Sequence, residues 1–175
     1  MLNKINIFII VKDHIATLKD YETKKNSGMD IILFFIVPII LAVLAFLSLK
    51  SMSSSLVTIL ITTQSIFAAL LFNLLILVYD AIRKEQTDGI VNQQNDKTDE
   101  RNNRRIFLKE IFSNVSFCVL ISVVTIVLLI IFSFVTKWKV AKEIISFLAY
   151  YFVGVFILSL LMVLKRTHVL ISTEK

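Results

Sequence analysis

The chain has 175 residues, 57% of them hydrophobic and 18% charged, with only 3 Gly, 1 Pro and 1 Cys. Its mean hydropathy of +0.81 excludes an ordinary soluble domain, whose helices interleave polar residues at regular spacing. The net charge of +6 does not point to nucleic acid, because Asp88, Asp96, Asp99 and Glu100 dilute the basic residues around them.

Residues 1–29 read as a cytoplasmic amphipathic segment. Phe8, Val11, Ile15 and Leu18 recur at three- and four-residue spacing and predict one apolar stripe on a helix. Lys12, Asp13, Lys19 and Asp20 fall on its other face, so the helix is expected on the bundle, on the inner leaflet or on a partner. The apolar patch Ile5 to Val11 is followed by Lys12-Asp13-His14 with no small-residue cleavage pattern, a poor signal peptide that is expected to be retained.

Four runs follow that contain no Asp, Glu, Lys or Arg: Ile31 to Leu49, Leu56 to Tyr79, Ile111 to Thr136 and Ile144 to Leu164. A helix needs about 20 apolar residues to cross a hydrocarbon layer of roughly 30 Å, and each run reaches that length. Barrel strands would be about half as long and would alternate polar with apolar. The fold class is therefore all-α, a polytopic membrane protein with four transmembrane helices. Residues 30–79 form a first transmembrane hairpin and 111–164 a second, with a cytoplasmic loop over 80–110 and a cytoplasmic tail over 165–175. In the loop, two juxtamembrane helical extensions are expected to flank a disordered middle, Asp88-Gly89 ending the first and polar Asn92 to Asn103 lying between them.

Charge sets the orientation. Fifteen of the 19 basic residues lie in the two tails and the central loop, whereas the short loops around Lys50 and Trp138 hold the other four. The positive-inside bias places both termini in the cytoplasm, and the lipid of the host membrane is the first partner. Arg83, Lys84, Arg104, Arg105 and Lys109 then form a cytoplasmic docking surface together with Lys12, Asp13, Lys19 and Asp20.

Within the runs no ionisable residue is present, which argues against proton-coupled exporters. Neutral polar residues are ordered instead: Thr58, Thr62, Ser65 and Asn73 in the second run, and Asn114, Cys118, Ser122 and Thr125 in the third. At about 100° per residue each set makes a narrow stripe, suited to a helix seam or an oligomer interface, with Asn73 and Asn114 at similar depth. Pro38 is expected to kink the first span. No catalytic constellation, cofactor motif or metal-ligand cluster is expected: His14 and His168 stand apart from other ligands, and Cys118 is alone. The sequence thus reads as a non-enzymatic interaction protein, with a holin-like pore as the alternative.

Three stretches carry a resemblance: Val11 to Tyr21 before the first span, Phe72 to Asp80 closing the second and Leu108 to Asn114 opening the third. They resemble small four-span bacterial proteins of anti-phage defence, most nearly the membrane subunit of the Kiwa system. The resemblance implies a homo-oligomeric inner-membrane sensor that holds a cytosolic effector protein, itself associated with DNA, beneath the membrane. It brings no catalytic residues with it.

Overall fold

The computed structural model describes residues 7–17, 28–49, 52–91, 98–135 and 138–173. These residues form five helices and no strand: α1 (Ile7–Thr17), α2 (Gly28–Leu49), α3 (Ser54–Val91), α4 (Thr98–Phe134) and α5 (Lys139–Thr173). Three of them contain stretches long and apolar enough to cross a membrane, Ser54–Thr87, Asn102–Phe134 and Lys139–His168. The described apolar stretch of α2, Phe34–Ser48, is shorter.

Local chemistry accounts for the start of α3. Ser53 caps α3, its Oγ accepting a hydrogen bond from Leu56 N at 3.2 Å, so one orphan donor of the first turn is satisfied. The expectation that Asp88-Gly89 ends this helix is corrected, because α3 runs through both residues to Val91. One interior glycine costs a helix only about 1 kcal/mol, too little to stop one that is already propagating. The expected disorder over Asn92 to Asn103 is corrected in part: α4 begins at Thr98 and carries the polar stretch up to Asn103 as helix. Residues 92–97 lie outside the described residues.

Packing does not follow sequence order. α3 packs on α4, α4 on α5, and α5 on α2, while α1 sits against α4. One core cluster joins Leu71 and Val78 of α3 to Ile111, Val115 and Phe117 of α4, Val155 and Val163 of α5, and Phe34 of α2. A second, nearer the short connections, holds Met52, Val57, Leu129, Phe132 and Ala149. Outward-facing side chains such as Ile40, Leu44, Leu70, Leu77 and Ile131 are exposed. They suit a lipid solvent, in which helix association depends on close fit and not on hiding apolar surface.

α2 and α5 approach closely at Gly154. A Cβ on Gly154 would stand 3.2 Å from Cβ and 3.3 Å from Cα of Pro38. Phe46 and Phe147 meet edge to face along the same interface, with ring centroids 6.1 Å apart. Absence of a side chain at Gly154 is what allows the proline ring of α2 to seat on α5.

Candidate functional site

Among the described residues, polar side chains of three helices converge at the seat of α1. The face that packs is Ile10, Val11, His14 and Thr17. The expected stripe is therefore corrected: Phe8 is 84% exposed and Ile15 is exposed with it, while Leu18, Lys19 and Asp20 lie outside the described residues. Both stripes share Val11. They differ because a buried hydrogen-bonding network on α4 attracts the polar His14 and Thr17, which a hydropathy pattern ranks as outward.

His14 is 2% exposed. Its Nδ1 lies 2.8 Å from Asn114 Oδ1, and with the amide oxygen as acceptor the ring donates from that nitrogen. Its plane stacks on Phe117, centroids 3.8 Å apart and 5° from parallel, and tilts against Phe34 at 5.1 Å. Thr17 Oγ1 is 2.7 Å from His14 O and 2.8 Å from Asn114 Oδ1, so its hydroxyl is shared between the two acceptors. Arg166 of α5 closes the junction by donating from Nη2 to Thr17 O and from Nη1 to Glu110 Oε2, the latter at 2.7 Å. The guanidinium thus caps the C-terminal end of α1, where the helix dipole favours a cation. Burial lowers the imidazole of His14 from 6.5 to about 4; the Asn114 hydrogen bond works the other way, and the charge of Arg166 adds to the lowering.

Two buried atoms at the seat have no partner, His14 Nε2 and Asn114 Nδ2. The neutral ring leaves a lone pair on Nε2, a modest penalty, whereas an imidazolium would leave an unpaired charged donor there.

The residues singled out from the sequence fall into separate environments. Asn114, Cys118, Ser122 and Thr125 are all buried on α4. Cys118 meets Ser159 of α5, so this stripe faces the inside of the bundle. Its hydroxyls bond within their own helix, Ser122 to Val119 O at 2.8 Å and Thr125 to Ile121 O at 2.7 Å. Small size, more than interhelical hydrogen bonding, is what they contribute to packing. On α3, Thr58, Thr62, Ser65 and Asn73 are exposed. The first two hydroxyls bond back to Ser54 O and Thr58 O. Gln64, on another face, is buried with Oε1 unpartnered. Asn73 and Asn114 are not paired: the Asn114 amide oxygen is taken by α1 and its Nδ2 has no partner.

Among the charged residues, Lys12, Asp13, Arg83, Lys84, Arg104 and Lys109 are exposed and Arg105 is half-buried. Arg104 Nε reaches Glu85 Oε1 at 3.3 Å, a brace between α3 and α4. Among the described residues, no three His, Cys, Asp or Glu side chains come together.

Sequence reasoning missed His14, Thr17, Phe117 and Arg166 as parts of one assembly. A signal for two of them was present: Ile10, His14 and Thr17 follow at spacings of four and three, which places a histidine on a face shared with an apolar residue. Arg166 had no such signal, because it joins α1 only through the fold. Comparison with protein-family models, with curated proteins and with solved structures finds no match to this chain.

Proposed function

We propose that the chain is a four-span protein of the bacterial inner membrane with both termini in the cytoplasm, a homo-oligomeric sensor and scaffold that recruits a cytosolic effector in anti-phage defence. The observation that carries the scaffold reading is the extension of α3 and α4 past their apolar stretches as a braced pair. Beyond Tyr79 and before Ile111 each continues as helix for about 18 Å. A pair of stiff arms presenting Arg83, Lys84, Arg104, Arg105 and Lys109 is a surface for a protein, and α1 adds Lys12 and Asp13. The defence context rests on the resemblance in Val11 to Tyr21, Phe72 to Asp80 and Leu108 to Asn114.

Oligomerisation is supported by the exposed polar stripe of α3. Hydrocarbon cannot hydrogen-bond the Asn73 amide or the Ser65 hydroxyl, so a second copy of the chain is the better neighbour. The same exposed stripe is the observation that favours a second reading, a pore lined by α3.

The decisive experiment is affinity purification of the full chain from gently solubilised bacterial membranes, with and without Arg83→Glu and Lys84→Glu together. A stoichiometric cytosolic protein is expected with the wild-type chain and is lost with the variant. Recovery of none from an intact oligomer, with collapse of membrane potential on expression alone, would favour the pore.

A further inference from the structure

α1 holds to the bundle with few apolar contacts. Ile10 and Val11 reach the core, whereas Ile7, Phe8, Ile9 and Ile15 are exposed. What seats it is polar: the His14 ring and the Thr17 hydroxyl on one amide oxygen of Asn114, and Arg166 on the last carbonyl of the helix. One member of that set is a histidine, the side chain whose charge ordinarily changes close to neutral pH.

We propose that α1 is a releasable latch: neutral His14 holds it on α4, and protonation of His14 detaches it from the bundle. The proposal stands on this junction alone and holds whether or not a cytosolic effector is recruited. In the docked state the ring already donates from Nδ1, so a second proton must go to Nε2, which is buried without an acceptor between Phe117 and Phe34. The stacked face of Phe117 favours a cation by less than the lost hydration costs it.

No described group offsets that charge. From α5 the junction receives Arg166, which repels an imidazolium. From α4 it receives the Glu110 carboxylate, held by Arg166 at 2.7 Å, and the uncharged Asn114. α2 contributes Phe34, and on α1 itself Lys12 and Asp13 are exposed on other faces.

The direction of the response follows. Docking lowers the imidazole from 6.5 to about 4, so the histidine contribution to docking is complete above 6.5 and is lost as pH falls toward 4. Between about pH 7.5 and about pH 5 the ratio of docked to released α1 falls roughly 30-fold. Release uncovers Asn114 and Phe117 and frees Arg166 from Thr17, so the inner ends of α4 and α5 change their surroundings together.

The test places spin labels on α1 and on the arm of α4, at Ala16→Cys and Asn103→Cys, in full-length Cys118→Ala protein reconstituted in lipid. A single narrow distance is expected at about pH 7.5, with a second, longer and broader population at about pH 5. His14→Gln, which can still hydrogen-bond Asn114 and cannot titrate, is expected to stay narrow at both. An unchanged distribution in the His14 protein overturns the latch, and so does a pH-dependent second population that persists in His14→Gln. If His14→Gln is released at both pH values, nitrogen NMR of labelled histidine decides, since His14 and His168 are the only two signals and His168→Gln assigns them. A docked His14 that titrates in the ordinary imidazole range overturns the proposal. One that titrates well below that range, with release on protonation, supports it.

Discussion

Asn114 and Asn73 are the same residue type at similar positions in neighbouring helices, yet their environments are opposite. Asn114 is fully buried and serves as acceptor for two side chains of α1. Replacing it with Leu keeps the branching of the side chain and leaves His14 Nδ1 and Thr17 Oγ1 without that acceptor, at a cost of about 1–3 kcal/mol. Limited proteolysis of Asn114→Leu is expected to cut α1 faster than in the wild-type chain while the rest of the bundle stays protected. Asn73→Leu is expected to leave protease protection unchanged and to weaken the proposed oligomer in detergent by about 1 kcal/mol, read by analytical ultracentrifugation. Equal protease patterns for the two variants would remove Asn114 from the seat of α1.

At the scale of elements, the contact of α2 with α5 depends on one missing side chain. Gly154→Ala gains about 1 kcal/mol of helix propensity and places a methyl in tight contact with Pro38, so its net effect is small. Gly154→Val gains less from propensity and adds two more methyl groups against the same ring, for a net loss of about 1–3 kcal/mol. A lower thermal midpoint in detergent for Val than for Ala is the expected order. Disulfide formation between Phe46→Cys and Phe147→Cys, in a Cys118→Ala background, should fall in the same order if the two helices are pushed apart. α1 shows the complementary case, an element held by polar contacts with little apolar area behind it. The fold therefore combines one seam set by shape with one set by hydrogen bonding.

For the whole molecule, the bundle order α3, α4, α5, α2 puts α4 at the centre, touched by α1, α3 and α5. α4 is accordingly the helix with the most buried side chains, and its small polar residues face inward where α5 comes close. The long arms of α3 and α4 emerge at the same end as the seat of α1, the end that carries the basic excess. Reporter fusions at Gly89 and after Lys175 are expected to read cytoplasmic, and fusions at Ser53 and Lys139 external. An external signal from Gly89 would put the arms on the wrong side for a cytosolic partner.

The sequence by itself determined the helical, membrane-type character of the chain, because burial in lipid is written residue by residue as uninterrupted apolar runs. It also marked the α4 stripe, since small polar residues at helical spacing in such a run have few other uses. Tertiary structure decided which helix each face meets. Apolar runs are much alike on all sides, so nothing local says that α2 seats on α5 through Gly154 and Pro38, or that the α4 stripe turns inward while that of α3 stays exposed. The seat of α1 was hidden for a related reason: His14, Thr17, Glu110, Asn114 and Arg166 come from three parts of the chain, and a histidine counted as polar in a pattern becomes a core residue once an amide is placed to receive it.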